Sequence, residues 1–268
     1  MLLPQHRKPI VNFAIPGAQK SGTTALRYYL RQHPQIFMPA HEVHFFDRNR
    51  FENPLIEAQE YEKEFPADHR EKLVGDCTPI YLFWDDCIRR LSSYNPQIKL
   101  IILLRDPVER AYSQWKMNFQ RGIEPMKFSD ALKHEASRTR NKNVSNPRDV
   151  KRYSYVERGR YGKQISNALQ YVSLEQMLFL KTDSLKNNHG GALSRVCNFL
   201  CIEPFEQTPI FEIVRPTILS QMGAGLLDLE ESGHSVIDES CRRLIREQLA
   251  DDISELKSIT GIDFSSAH

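Results

Sequence analysis

Apolar positions along this chain fall into short continuous or alternating runs, separated by segments whose apolar residues recur at helical spacing. Val11, Phe13 and Ile15 form a β-branched and aromatic run that Pro16-Gly17 breaks. Ser21-Gly22-Thr23-Thr24 then supplies capping residues, and Ala25, Leu26, Tyr29 and Leu30 line one face of a helix. Gln35 to Pro39 predicts a short strand, Asn53 to Phe65 a charged helix, and Leu73 to Pro79 a second strand ending in a turn. Trp84 to Tyr94 reads as a helix with Ile88 and Leu91 inward. Lys99 to Leu104 is apolar on both faces, as a central parallel strand is, and a helix with proline in its first turn runs from Val108 to Arg121. Ser137 to Lys151 is polar and aperiodic, which predicts a mobile loop over about 138–151. Ile165, Leu169 and Val172 mark a further helix, Glu175 to Lys181 a further central strand, and Gly190 to Leu200 a helix. A long C-terminal helix, Val236 to Ile259, carries Ile237, Cys241, Leu244, Ile245, Leu249, Ile253 and Leu256 on one face. Strands alternating with helices predict an α/β fold of three layers, α/β/α, around a central parallel sheet.

Composition narrows the classes. A chain of 268 residues suits one α/β domain spanning 1–268. A net charge of +2 and a pI near 8.2 give no broad basic surface, so nucleic acid is not an expected partner and any anion site is local. No apolar run approaches the ~20 residues of a membrane helix, and MLLPQHRKP has too short an apolar stretch for a signal peptide, so no membrane association and a cytoplasmic location are expected. Five cysteines without a C-x-x-C pair disfavour both a disulfide framework and a structural zinc site. No metal is expected, and oligomeric state is not legible.

Candidate chemistry begins at the first strand-to-helix loop. A helix start presents unpaired N–H groups and a partial positive charge, so a glycine-bearing loop feeding one suits a phosphate or sulfate, and Lys20 adds a full charge. The nucleoside-triphosphate loop G-x-x-x-x-G-K-[ST] does not fit, because Thr23 follows Gly22 and the lysine precedes that glycine. An ordinary turn with a surface lysine is the plain alternative. Farther on, His41-Glu42-Val43-His44-Phe45-Phe46-Asp47 sets two histidines and two acids around a Phe-Phe pair. In an extended segment Glu42, His44 and Phe46 would share a face, where a carboxylate beside an imidazole could receive a proton from a bound acceptor. An isolated E-x-H is more often a structural histidine beside a surface acid. Arg105 closes the central strand, where an arginine meets ligands; a salt bridge to Asp106 that caps the next helix is the alternative.

Taken together these segments resemble one family. K-S-G-T after a strand resembles the 5′-phosphosulfate loop of sulfotransferases that use 3′-phosphoadenosine 5′-phosphosulfate, and E-V-H-F-F-D resembles a segment of the glycosaminoglycan sulfotransferases and their bacterial relatives. Arg105-Asp106-Pro107 with Ser113 matches their R-[DN]-P-x-x-R-x-x-S, and Arg158-Gly159-Arg160-Tyr161 their R-G-x-Y. The resemblance implies the P-loop-like sulfotransferase fold and a transfer of a sulfuryl group to a hydroxyl or amine, with 3′,5′-adenosine bisphosphate as product. It makes Glu42 the catalytic base, gives supporting roles to His44 and Asp47, and has Lys20 neutralise charge on the bridging oxygen. Ser21, Gly22, Thr23 and Thr24 would surround the 5′ phosphate, Arg105 and Ser113 the 3′ phosphate, and Tyr161 would either border the cofactor or pack in the core. Two departures are visible. The family's Glu-Lys-Thr-Pro is Asp76-Cys77-Thr78-Pro79 here, without its lysine, and its Lys-Gly-Arg loop is replaced by Gln221-Met222-Gly223-Ala224-Gly225, with Arg215 the nearest basic residue. The expected acceptor is a small molecule, natural product or sugar. A glycosaminoglycan-type polysaccharide sulfotransferase, a variant P-loop kinase and a non-catalytic nucleotide-binding protein remain as alternatives. The kinase is disfavoured because a basic residue stands where a Walker-B acid would follow the central strand.

Overall fold

The computed structural model describes residues 9–48, 52–65, 72–139, 147–209 and 237–265. Five strands, β1 (Val11–Gly17), β2 (Ile36–Phe37), β3 (Leu73–Cys77), β4 (Lys99–Leu104) and β5 (Met177–Lys181), form one parallel sheet in the order β2-β3-β1-β4-β5. The helices are α1 (Thr23–Leu30), α2 (Pro54–Glu62), α3 (Asp85–Tyr94), α4 (Pro107–Gln120), α5 (Phe128–Thr139), α6 (Pro147–Tyr153), α7 (Tyr161–Ala168), α8 (Thr182–Asn187), α9 (His189–Leu200) and α10 (Glu239–Thr260). Among the described residues no helix is long and apolar enough to cross a membrane.

Contacts divide the chain into two compact units, Met1–Arg105 with Lys163–Phe211 and Asp106–Gly162 with Glu212–His268. The first holds the sheet. β1 lies at its centre, with Ile15 opposite Cys77 on β3 and Ala14 opposite Leu100 on β4. Phe13 and Ile15, Ile101 and Leu103, and Leu180 present one face of the sheet to Leu26 and Leu30 of α1 and to Leu193, Val196 and Leu200 of α9. Each such side chain contributes about 1.5–3 kcal/mol on burial. Residues 100–104 of β4 are all buried, on both faces of the sheet, which explains why β4 reads as an uninterrupted apolar run.

In the second unit Asp106 caps α4, its Oδ1 accepting from the amides of Val108 at 2.9 Å and Glu109 at 3.1 Å, while Oδ2 pairs with Arg246 at 2.9 Å. Asp106 thus has helix-capping work, with Arg246 as its ion-pair partner. Trp115 of α4 packs with Phe128 of α5, and Asp252 of α10 accepts the Gly162 amide at 3.0 Å. The aperiodic stretch expected to be a loop from Ser137 to Lys151 is partly helical. α5 runs through Thr139 and α6 begins at Pro147; 140–146 lie outside the described residues.

Candidate active site

Neighbouring strands whose connections leave in opposite directions open a crevice at their carboxyl ends, and β1 and β4 meet that condition here. The loop after β1 is tied across it: the Ala18 amide donates to the Leu103 carbonyl at 2.7 Å. Gly17 is required by closeness, since a Cβ there would lie 2.7 Å from Cβ of Leu82. Lys20 (φ 71°) and Gly22 (φ 93°) are both left-handed, a conformation that turns successive backbone N–H groups toward a common centre. Gly22 is the N-cap of α1 and provides no side-chain cap, so that helix start keeps its donors for another acceptor.

Ser21 is fully buried, and among the described residues its Oγ has no hydrogen-bond partner. A buried hydroxyl without a partner costs free energy on the order of 1–3 kcal/mol, and a bound anion would remove that cost. Thr182 Oγ1 lies 2.8 Å from the Ser21 carbonyl and 3.1 Å from that of Leu104, a shared donor that joins the loop to the ends of β4 and β5. Thr23 is buried and Thr24 exposed. At the end of β4, Arg105 reaches the loop through Nη1, 3.4 Å from the Lys20 carbonyl. The loop, its helix start and Arg105 therefore come together, and their chemistry fits a phosphate or sulfate.

The second group of predicted residues lies beside β3. His44 Nε2 is 3.0 Å from Glu42 Oε2, and its Nδ1 is 3.2 Å from both oxygens of Asp47, whose side chain is fully buried. Hydrogen bonds to Asp47 first and Glu42 second raise the imidazole to about 9, against a smaller opposing effect of burial. His44 is thus an imidazolium at neutral pH, clasped by two carboxylates. The expected strand geometry is not what brings this about. His44 has φ 56°, the segment is irregular, and Phe45 and Phe46 are both buried, so the two-residue alternation over Glu42, His44 and Phe46 does not hold.

What replaces strand pairing is a set of side-chain bonds that the sequence reading missed. The amide of His44 donates to Thr78 Oγ1 at 3.3 Å, and those of Phe45 and Phe46 donate to the Tyr81 hydroxyl at 2.8 and 3.3 Å. Arg90 bonds the Phe46 carbonyl, stacks its guanidinium over the Phe46 ring, and pairs with Glu57. Thr78 and Tyr61 donate to the two oxygens of Asp76 at 2.7 and 2.8 Å. One signal was available: Asp76 is a charge inside a strand that otherwise reads as buried. Cys77 donates its thiol to the Thr23 carbonyl at 3.7 Å, and burial pushes that thiol well up, so it is a strand residue and no nucleophile.

Two predicted site residues lie in the second unit. Ser113 is half-buried on α4. Tyr161 is fully buried, its ring centroid 6.4 Å from that of Phe264, which is the packing alternative. Arg110, the other arginine of the same motif, is fully buried and bonds Gln114 and the Tyr155 carbonyl. Arg215 and Gln221 to Gly225 lie outside the described residues.

The clasped imidazolium has a measurable consequence. A histidine raised from 6.5 to about 9 on folding stabilises the protein fully below pH 6.5, and that contribution is lost as pH rises from 6.5 through 9. Denaturant unfolding of the wild type is expected to show a decline in stability over that window, and His44→Gln is expected to flatten it. An equal slope in both proteins would mean that the pairing is absent in solution.

Residues 12–252 match the family described as sulfotransferase domain. Heparan sulfate glucosamine 3-O-sulfotransferase 3A1 of Mus musculus is 27% identical over 98% of this chain and 66% of its own length. Heparan sulfate glucosamine 3-O-sulfotransferase 6 of the same organism is 30% identical over 69% of this chain and 51% of its own. The chain therefore spans about half to two thirds of the length of these relatives. The crystal structure of a sulfotransferase from Alicyclobacillus acidocaldarius superposes with a TM-score of 0.74 at 24% identity, covering 94% of this chain and 96% of that one.

Proposed function

Since the chain belongs to the sulfotransferase domain family, we propose that it transfers a sulfuryl group from 3′-phosphoadenosine 5′-phosphosulfate to a hydroxyl or amine of a small neutral molecule or sugar. The donor supplies an activated sulfuryl group whose departure leaves 3′,5′-adenosine bisphosphate. Ser21, Gly22, Thr23 and Thr24 hold the 5′ phosphate through hydroxyls and the uncapped N–H groups of α1. Lys20 neutralises charge on the bridging oxygen, and Arg105, with Ser113 by its motif spacing, takes the 3′ phosphate. Glu42 accepts the acceptor's proton, while His44 and Asp47 fix and charge-balance it. The single observation that carries this reading is the buried, unpartnered Ser21 Oγ beside a helix start without a side-chain cap.

The preference for a neutral acceptor rests on charge. The charged groups that act on His44, namely Glu42, Asp47 and Asp76, are all acidic, and Cys77, where the family carries a lysine, is buried and uncharged. A polyanion would meet repulsion there. The heparan sulfate enzymes among the relatives favour the second reading, a polysaccharide acceptor. Sulfation of neutral sugars and phenols in preference to heparan sulfate oligosaccharides is expected; the reverse order would establish the polysaccharide reading. A cytoplasmic setting belongs to the same proposal, supported by the buried thiols of Cys77, Cys87, Cys197 and Cys241, none of them in a disulfide. So does one folding domain, for which a single unfolding transition is the expected result.

The donor site is tested without an acceptor. Calorimetry in EDTA is expected to show binding of 3′,5′-adenosine bisphosphate that Arg105→Ala weakens roughly ten- to a hundredfold, the worth of a charge-assisted bond. Clear magnesium-dependent ATP binding with none of the bisphosphate would sink the sulfotransfer reading.

A further inference from the structure

We propose that Asp76 is the positioning residue of the acceptor side, fixing the backbone of His44, and through it the Glu42–His44 pair, by orienting the hydroxyl of Thr78. The proposal rests on the reading of Glu42 as base and adds a residue that the family motif does not assign. Its argument is the direction of each hydrogen bond. An ionised carboxylate only accepts. Asp76 is fully buried at the end of β3, and it accepts from Thr78 Oγ1 at 2.7 Å and from Tyr61 at 2.8 Å. A hydroxyl has one proton, so Thr78, having given its own to Asp76, can only accept on the other side.

What it accepts is the His44 amide, while the next two loop amides, of Phe45 and Phe46, donate to the Tyr81 hydroxyl. His44 needs such hold, because a non-glycine residue at φ 56° lies in a sparsely populated conformation that persists only where its surroundings over-determine it. Asn at position 76 would offer an amide donor and reverse the polarity of one hydroxyl, turning a proton toward a loop N–H. The buried carboxylate, pushed up to about 6 by desolvation against the hydrogen bonds from Thr78 and Tyr61, is retained at this cost.

The test uses His44 as its own reporter. NMR titration of the full chain is expected to place the wild-type His44 midpoint near 9. Asp76→Asn removes a nearby negative charge as well as the anchor, so Thr78→Val, which changes no charge, is the deciding variant. It is expected to shift the His44 midpoint back toward 6.5 by a unit or more, with Thr78→Ser restoring it. A midpoint unchanged in Thr78→Val, in a protein whose unfolding transition remains cooperative, would overturn the proposal, as would a shift in Asp76→Asn alone. Turnover separates the proposal from the reading beneath it. Release of 3′,5′-adenosine bisphosphate in the presence of an accepted sugar or phenol is expected to fall about a hundredfold in Asp76→Asn, the scale of a misplaced catalytic group, with calorimetric binding of the bisphosphate unchanged. Added to Glu42→Gln, the same substitution is expected to cost less than about twofold more, because it acts through that residue. Full additivity would assign Asp76 a merely structural role. Retained turnover in Glu42→Gln would instead refute the base while leaving the NMR result standing.

Discussion

Glu42→Ala is expected to lower kcat between about a hundred- and ten-thousandfold, the range that a positioned general base contributes, while binding of 3′,5′-adenosine bisphosphate stays at the wild-type value. The split between these readouts is the informative part. Glu42 sits on the irregular segment beside β3, and the loop proposed to bind phosphate sits at the end of β1, so deleting the carboxylate leaves the proposed donor ligands in place. A carboxylate is a weak base toward an alcohol, and proximity must compensate. The clasp by His44 supplies this, since it holds Glu42 in one orientation. A fall of less than about tenfold, measured by initial rates at saturating donor, would remove Glu42 from the reaction.

Arg90→Ala is expected to destabilise the fold by about 3–5 kcal/mol, because it strands a buried partner charge. Arg90 and Glu57 are both buried, their carboxylate-guanidinium contact is short, and the guanidinium also satisfies the Phe46 carbonyl. Removing it leaves Glu57 and that carbonyl without this partner, and takes a planar cation off the Phe46 ring. For a chain of this size such a loss corresponds to a fall in Tm of roughly 6–20 °C. Replacing both members by apolar residues, Arg90→Met with Glu57→Met, is expected to recover most of it. A single Arg90→Ala variant that melts within about 2 °C of the wild type, by calorimetric scan, would show that the pair contributes little.

The strands were legible in the sequence wherever burial on both faces dictated an apolar run. Lys99–Leu104 is the clearest case, and its bounds coincide with the observed β4. Helix α5 was not legible, for a reason its side chains supply. Its buried positions are Phe128, Ala131, Leu132 and Glu135, so the last place of an i, i+3, i+4, i+7 pattern is taken by an acid. Glu135 fits there because it accepts from the amides of Val156 and Glu157 at 2.7 and 2.9 Å, partners that are distant in sequence. The same limit applies at the site. The residues Lys20, Glu42, His44 and Arg105 carry their chemistry in their identities, whereas the hydroxyls that bend the chain at His44 belong to Thr78 and Tyr81, more than thirty positions on. Period-two reasoning on the His44 segment failed because side chains, and no neighbouring strand, determine its backbone.

The two halves of the site differ in what anchors them. The loop after β1 is fastened by main-chain bonding to β4, through Ala18 and Leu103, which any sequence folding into this sheet retains. The segment bearing Glu42 is fastened by three side chains, Thr78, Tyr81 and Arg90. Point mutation can rewrite the second set but scarcely touches the first. Descendants of such a scaffold are accordingly free to change what they sulfate long before they change what they sulfate with, and divergence among them should concentrate on the β3 side of the crevice.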